Sequence, residues 1–113
     1  MDKLTYYESV IKKILHEYEA ISLQVPRTGI DEILIFDDEK KQYLWFNVGW
    51  NDGKRVKGIT VYVRIKNEKI YIEEDWTEEG IATDLLREGI PKEDIVLAFH
   101  PPEMRKFTEF AIA

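Results

Sequence analysis

The chain has 113 residues, 44% of them hydrophobic and 12% aromatic, which is enough for a packed core and predicts one domain over residues 1–113, of the α+β class by the elements described below. The absence of cysteine excludes disulfides, thiolate catalysis and cysteine-ligated zinc, and with no signal peptide and no apolar run of ~20 residues we expect a cytoplasmic protein that does not cross a membrane. A formal charge of −6, from 22 acidic and 16 basic residues, disfavours direct nucleic-acid binding and suits a basic protein partner instead.

An amphipathic helix is predicted over residues 3–21, because apolar side chains recur there at helical spacing. Asp2 is a suitable N-cap for this helix. Pro26 and Gly29 indicate the loop that follows it. The helix is long enough to cover one face of a sheet.

Four β-strands are predicted next, at residues 32–36, 43–50, 56–66 and 69–74, because these segments are rich in β-branched and aromatic residues. Asp52-Gly53 is a strong signal for a type I′ hairpin, and Asn67-Glu68 is a weaker one. The simplest arrangement is a four-stranded antiparallel meander. Registers drawn from the two turns place four apolar pairs on one face: Leu44 with Val61, Phe46 with Ile59, Val63 with Ile72, and Ile65 with Ile70.

The opposite face of the predicted sheet is unusually aromatic for a face in contact with water. By the same registers it carries Tyr43, Trp45, Thr60, Tyr62, Arg64, Tyr71 and Glu73. Leu34 and Phe36 join it if the first strand pairs as expected. Two coverings stay open, namely the chain's own second helix and tail, or another subunit. If the face is free, homodimerisation is its most economical cover.

A second helix is predicted to begin at Thr77, to hold Arg87 in its last turn and to end at Gly89. Residues 91–94 form another turn or short helix that leads into the apolar segment 95–99. Apolar residues continue nearly to the end of the chain. We therefore expect the C-terminal tail to be packed on the body of the domain.

One histidine is a candidate general base. His100 precedes two prolines that would hold it fixed, and Asp75 or Glu78 are candidate carboxylate partners for a small enzyme. No serine or cysteine accompanies it in a recognisable triad, so a structural or interface histidine is favoured. The acidic run at residues 73–79 matches no metal-binding loop, and the glycines form no phosphate cradle. We assign no catalytic residue, metal or cofactor.

The most basic part of the chain is the hairpin arm that begins with Lys54, Arg55 and Lys57 and continues to Lys69. If the protein contacts DNA, these three side chains are the first candidates, beside Trp50. The other interpretation is a solvated edge strand protected by lysine. Direct DNA binding therefore stays an alternative.

Several motifs, spread over nearly the whole chain, share their order and spacing with one known family. They are Ile11-Lys12-Lys13 after Tyr7, Asn47-Val48-Gly49-Trp50, the segment 75–82 that enters the second helix, the segment 89–100, and the closing residues 105–111. In these motifs the chain resembles the XisI-like family, the fdxN-element excision controlling factors of cyanobacteria. The resemblance implies an accessory or regulatory factor in the excision of a DNA element, which acts beside a recombinase and a companion XisH-like protein.

The resemblance transfers no catalytic residue, because the family has none established. The leading hypothesis is therefore a non-enzymatic factor that binds protein partners. Two surfaces are candidates for this binding, the aromatic sheet face and the turn from His100 to Arg105. The candidate partner-binding residues are Tyr43, Trp45, Tyr62, Tyr71, His100 and Arg105.

Overall fold

The fold combines two helices with a single sheet, in a computed structural model that describes residues 2–25 and 27–113. The elements are α1 Lys3–Gln24, β1 Ile30–Asp37, β2 Gln42–Asn51, β3 Lys54–Lys66, β4 Lys69–Asp75, α2 Ile81–Arg87 and β5 Ile95–Leu97, with single-turn helices at Lys92–Asp94 and Pro102–Phe107. The predicted α+β class is confirmed. No helix in the described ranges is long and apolar enough to span a membrane.

The first helix begins where the sequence predicts. The carboxylate of Asp2 accepts a hydrogen bond of 2.8 Å from the backbone N–H of Thr5, which satisfies one of the free donors of the first turn. One side of the helix is buried, and its residues are Tyr7, Val10, Ile11, Ile14 and Leu15. This apolar side packs onto the sheet.

The sheet has the order β1-β2-β3-β4-β5. Strands β1 to β4 form the predicted antiparallel meander, and β5 adds a short parallel strand beside β4. Asp52 and Gly53 both have positive φ, 51° and 75°, as a type I′ turn requires. Asn67 and Glu68 have positive φ as well, at 53° and 61°. Both predicted hairpins are therefore confirmed.

A β-bulge in β3 changes which side chains share a face of the sheet. Phe46 lies opposite Ile59, as predicted. The preceding residue of β2, Trp45, lies opposite Val61, so Thr60 is an additional residue in β3. Beyond this point the register of the two strands is shifted by one residue.

The shift overturns one predicted pair. Leu44 lies opposite Tyr62 and not opposite Val61, because the prediction assumed an uninterrupted ladder from the turn. Tyr43 lies opposite Val63 for the same reason. The aromatic side chains of β2 therefore share a face with the valines of β3, and not the face assigned to them from the sequence.

A second bulge lies in β4. Val63 pairs with Ile72, as predicted, but the neighbouring pair joins Tyr62 to Glu74, so Glu73 is the additional residue. The predicted pair of Ile65 with Ile70 is also confirmed. Two bulges in one sheet increase its twist and curve it around the helices.

The core lies between α1, α2 and one face of the sheet. The sheet contributes Tyr43, Trp45, Val61, Val63, Ile65, Ile70, Ile72 and Ile95, with Leu34 and Phe36 packed at the side. Tyr43, Trp45, Leu34 and Phe36 were predicted for the aromatic face whose covering was left open, and they lie in this core, covered chiefly by α1 rather than by the second helix and tail. The other predicted members of that face, Tyr62, Arg64 and Tyr71, lie on the opposite side of the sheet.

The second helix begins later than predicted. Thr77 is not its first residue, because Asp75 accepts the backbone N–H groups of Thr77 at 2.9 Å and of Ile81 at 2.6 Å. This carboxylate holds the intervening residues in a turn, and α2 starts only at Ile81. The predicted end is confirmed, since Gly89 has a φ of 88° and the N–H of Ile90 bonds back to Leu85 at 3.1 Å.

The C-terminal tail is packed, as predicted. Ala111 lies beside Val96 and donates its backbone N–H to Ile95 at 2.9 Å. The tail therefore continues the sheet past β5. The guanidinium of Arg105 fixes the preceding loop by donating hydrogen bonds to the carbonyl oxygens of Ala98, His100 and Ile112.

Candidate functional site

The face of the sheet turned away from the helices is apolar over β1, β2 and β3. We call it the open face, and it consists of Ile33, Ile35, Leu44, Phe46, Val48, Ile59 and Tyr62. Ile35 is 47% exposed and Ile59 is 36% exposed, and the remaining members are half-buried. A contiguous apolar area of this kind usually marks an interaction surface.

A groove of about 560 Å³ lies across the β2–β3 part of the open face. Phe46, Val48 and Ile59 supply its apolar lining, and Lys57 and Glu74 stand at its edge. Near this edge Arg64 donates a hydrogen bond of 2.7 Å to Glu73. An apolar centre with charged groups of both signs around it resembles the core and rim of a protein interface.

Tyr43 and Trp45 do not belong to this surface, which corrects the sequence-based assignment. Tyr43 is fully buried, and burial, together with its hydrogen bond of 3.0 Å to Asp38, raises the pKa of its hydroxyl. Trp45 is 9% exposed and donates its indole N–H to Glu32 at 2.8 Å. Both rings are part of the core, because the Thr60 bulge turned them toward α1.

Tyr62 and Tyr71 do lie on the side of the open face, but only one of them is at its surface. Tyr62 is half-buried and its hydroxyl donates a hydrogen bond to Gln42. Tyr71 is 5% exposed, and the ammonium group of Lys66 lies 5.3 Å from its ring centre. Of the four aromatic residues predicted for partner binding, Tyr62 is therefore the one placed to take part.

The turn from His100 to Arg105 is held mainly by internal contacts. Arg105 donates 3.0 Å and 3.3 Å hydrogen bonds to the carbonyls of His100 and Ala98, which gives its guanidinium a structural role. The ring of His100 packs 4.6 Å from that of Phe99. Binding of a partner by His100 or Arg105 stays a prediction.

The alternative of a small enzyme joins His100 to Asp75 or Glu78, and neither His100 nor Asp75 lines the groove of the open face or the cleft on the helix side of the molecule. Asp75 already accepts the hydroxyl and N–H of Thr77 and the N–H of Ile81. Glu78 lines a cleft on the helix side whose described lining does not include His100. Among residues 2–25 and 27–113 there is also no group of three or more acidic or histidine side chains arranged to hold a metal ion.

Lys54, Arg55 and Lys57 are exposed at the end of the β2–β3 hairpin, as the DNA-binding alternative requires. The guanidinium of Arg55 lies 5.2 Å from the ring of Trp50, which is itself exposed. Lys57 lies beside the groove of the open face, opposite Val48, and Lys54 and Arg55 stand at the hairpin end of this face. Contact with DNA through this arm stays a prediction.

Comparisons with known proteins agree with this fold. The family model described as "XisI protein" matches residues 1–112. The chain belongs to the XisI family. The resemblance that the sequence motifs indicated is thereby confirmed over almost the full chain.

Two solved structures show how closely the fold follows the XisI family. One is the fdxN element excision controlling factor XisI from Anabaena variabilis ATCC 29413, which is 46% identical to this chain and superposes on it with a TM-score of 0.88. The alignment includes 99% of this chain and 100% of that protein's chain. The other is a XisI-like protein from the same organism, 33% identical, with coverage of 97% and 99% and a TM-score of 0.91. The cyanobacterial setting that the motifs implied fits both relatives. A search of curated proteins found no match.

Family membership leaves the residue-level site to be argued from the geometry. The sequence analysis missed the aliphatic members of the open face, among them Ile33, Ile35 and Leu44. The available signal was the apolar run of β2, which places apolar side chains on both faces at once. A strand with this pattern predicts a sheet that is covered on both sides.

Proposed function

We propose that this XisI-family protein is a non-enzymatic accessory factor in the control of DNA-element excision, and that it acts by binding a protein partner on its open face. Membership of a family named for excision control supports the role. The proposed partner is the companion XisH-like protein, with a recombinase in the same assembly. Because the element is excised from the chromosome, the proposed place of action is the cytoplasm.

The single observation that carries the proposal is the uncovered apolar surface. The open face spans three strands, and strands of eight residues, as in β1, spaced ~4.8 Å apart with ~3.3 Å per residue, give it a projected area of about 380 Å². Side chains that stand out from the plane increase it, and stable interfaces begin at roughly 600 Å² per partner. The open face is therefore large enough to form the apolar core of an interface, to which the polar residues around it add the rim.

The chemistry of the open face favours binding over catalysis. Its centre, at Ile35, Phe46 and Ile59, offers apolar side chains and no titratable group. Apolar side chains gain free energy when a partner removes them from water, by roughly 25 cal/mol per Å². Acid–base chemistry would need a positioned titratable group near the reacting atoms, and at the groove such groups stand only on the rim.

Co-purification with the companion XisH-like protein tests the proposal. Both proteins are co-expressed, with an affinity tag on the companion alone, and the recovered ratio is measured. The variants Ile35→Lys and Ile59→Lys place a charge in the open face, whereas Leu86→Lys places the same charge at an exposed apolar position of α2. We expect one-to-one recovery of the wild type and of Leu86→Lys, and loss of recovery for both open-face variants.

Two results would contradict the proposal. One is the absence of any stoichiometric complex with the companion. The other is undiminished recovery of Ile35→Lys and Ile59→Lys, which would remove the open face from the interface. Circular dichroism and thermal unfolding of each purified variant check that it remains folded.

A second copy of this chain is the other occupant to be tested. Sheets that pack face to face around a two-fold axis would bury the same residues from both copies. Sedimentation analysis of the protein alone distinguishes the cases. A dimer that Ile35→Lys dissociates would assign the open face to self-association and not to the companion.

A further inference from the structure

A second cavity, separate from the open face, lies on the helix side of the molecule. This cleft of about 560 Å³ is enclosed by the C-terminal half of α1, the bulged part of β3 and the segment 76–87. Tyr18 and Trp45 line its inner part, and Ile21 and Trp76 line its walls. The rings of Tyr18 and Trp45 pack 5.7 Å apart, so the cleft has an aromatic floor.

The charge of the cleft is strongly negative. Four carboxylates line it, from Glu17, Glu78, Glu79 and Asp84, against the one guanidinium of Arg87. Arg87 is already engaged, at 2.9 Å with Asp84 and 3.8 Å with Glu79. Within the described residues, Glu17 and Glu78 form no ion pair.

Trp76 is the most unusual residue of the cleft, because it is 74% exposed despite its size. Its indole N–H donates a hydrogen bond of 2.7 Å to Glu74, and its backbone N–H donates one of 2.9 Å to Thr60. These contacts hold the residue at the mouth of the cleft. A fixed aromatic ring beside carboxylates attracts cations through both its quadrupole and the neighbouring negative charge.

We propose that this cleft binds arginine or lysine side chains from a basic segment of a partner protein. The aliphatic stem of such a side chain fits the apolar floor, and its cationic head reaches Trp76 and the rim carboxylates. A guanidinium can also bond a carboxylate in bidentate geometry. The negative charge of the cleft repels phosphate and therefore selects a basic protein segment over nucleic acid.

The inference rests on the proposed function, because it names the chemistry of one partner segment. It uses a different surface from the open face, so each can fail without the other. The chain's own basic hairpin, with Lys54 and Arg55, is the competing occupant. A hairpin-to-cleft contact between copies is head-to-tail and would produce concentration-dependent assemblies.

The test uses the full chain, labelled with ¹⁵N, and a capped tetra-arginine peptide. The matched control peptide is tetra-citrulline, which has the same shape without the charge. We expect saturable shifts of the Trp76 indole signal and of amides in segment 76–87 with tetra-arginine, weakened by added salt, and no saturable shift with tetra-citrulline. Equal binding of both peptides would overturn the proposal.

Variants locate the binding site. We expect two variants to weaken tetra-arginine binding about 3- to 10-fold, namely Trp76→Ala and the double variant Glu17→Gln with Glu78→Gln. The affinity of each variant is measured from its amide shifts. Trp50→Ala is the control, since it removes the other exposed tryptophan beside a cation. If Trp50→Ala lost tetra-arginine binding and Trp76→Ala kept it, the assignment to the cleft would be contradicted.

The two proposals are separated by one further variant. Ile35→Lys alters the open face alone, so it is expected to lose the companion and keep tetra-arginine binding. In the wild type, peptide binding without recovery of the companion would contradict only the proposed function. Recovery of the companion by the wild type without peptide binding would contradict only the cleft proposal. If copies of the chain assemble with each other without peptide, and Lys54→Glu abolishes this assembly, the cleft would be assigned to a second copy.

Discussion

The hydroxyl of Tyr18 donates a hydrogen bond of 2.7 Å to the carboxylate of Asp84 and so joins α1 to α2 at the edge of the core. Asp84 is the buried charged residue of the described chain, and Arg87 bonds its other oxygen at 2.9 Å. Burial, with the hydrogen bond to Asp84 as the next cause, raises the pKa of Tyr18 to about 12. Tyr18 therefore remains a protonated donor at neutral pH, and the two helices stay connected.

Removal of this hydroxyl is expected to destabilise the fold. Tyr18→Phe leaves the buried carboxylate of Asp84 with one donor fewer, and we expect a loss of about 1–3 kcal/mol in the free energy of unfolding. Tyr6→Phe is the control, because Tyr6 makes a hydrogen bond of the same length, 2.7 Å to the carbonyl of Glu88, at an exposed position. Urea unfolding of both variants measures the difference, and equal losses would show that burial of Asp84 has no part in it.

Two glycines of the β2–β3 hairpin are expected to respond differently to the same substitution. A Cβ on Gly49 would lie 2.0 Å from the carbonyl oxygen of Gly29 and 2.8 Å from Cα of Ile30, which are backbone atoms that cannot rotate away. A Cβ on Gly58 would meet nothing closer than 4.0 Å, the side-chain oxygen of Asn47. The cost at Gly49 is therefore steric and comes from the close approach of β1.

We expect Gly49→Ala to lower the free energy of unfolding by about 1–3 kcal/mol, as overpacking usually does. Gly58→Ala is expected to change it by less than about 1 kcal/mol, since alanine also restricts the unfolded chain. Thermal unfolding of the pair provides the comparison. A stable Gly49→Ala variant would mean that β1 does not approach β2 as closely at this point.

The local parts of the fold could be predicted because their signals lie within a few residues of the structure they specify. Asp2 caps the helix that starts beside it, and Gly89 adopts the positive φ that ends α2. The turns at Asp52-Gly53 and Asn67-Glu68 fix the pairing next to them. Each of these features depends on one or two residues, through a side-chain hydrogen bond at Asp2 and a positive φ at the turns and at Gly89.

The faces of the sheet could not be predicted, because a single bulge decides them. Thr60 has no sequence feature that marks it as an additional residue, and its effect is to turn every side chain beyond it to the other side. Residues 43–46 are all apolar, so the pattern fits either register equally well. The predicted binding residues Tyr43 and Trp45 were exchanged with Leu44 and Phe46 for this reason alone.

Acid is expected to weaken the contact between the start of α1 and the turn before β5. There Asp94 accepts a hydrogen bond from Tyr7 and pairs with Lys3 at 3.0 Å. Burial by itself would raise the pKa of Asp94, but the hydrogen bonds from Tyr7 and Lys3 outweigh it and lower the pKa below its ordinary value. The ionised form is therefore favoured by folding. Its contribution to stability is present in full above the unfolded pKa of about 4 and is lost as the pH falls through the lower folded pKa.

Asp94→Asn is accordingly expected to be less stable than the wild type at pH 7, by about 1–3 kcal/mol for a hydrogen-bonded charge. The difference should shrink as the pH falls below about 4, where the wild type also loses the charge. Urea unfolding at pH 7, 5 and 3 follows this trend, with Asp31→Asn at an exposed position of β1 as the control. A difference that stays constant with pH would exclude the carboxylate charge as its cause.

Duplex DNA is expected to bind this protein weakly if at all. Lys54, Arg55 and Lys57 begin the basic arm and are its candidate DNA contacts, but the whole chain carries a net charge of −6, which repels the phosphate backbone. Fluorescence anisotropy with a labelled duplex at about 50 mM salt measures the interaction. We expect no saturation below roughly 10 μM protein, because repulsion from the net charge of −6 should make binding weaker than that of non-specific DNA-binding proteins, whose dissociation constants are roughly 10⁻⁴–10⁻⁶ M at physiological salt.

The salt dependence distinguishes the basic arm from a dedicated DNA-binding surface. Three cations can neutralise at most three phosphates, so the log–log slope of affinity against salt would be no steeper than about −2.7. A steeper slope, abolished by Lys54→Glu or Arg55→Glu and kept by Lys92→Glu in the turn after α2, would establish direct DNA binding and displace the partner-binding proposal. A shallow slope that all three variants share would instead reflect general counterion effects, because it would not depend on where the positive charge lies.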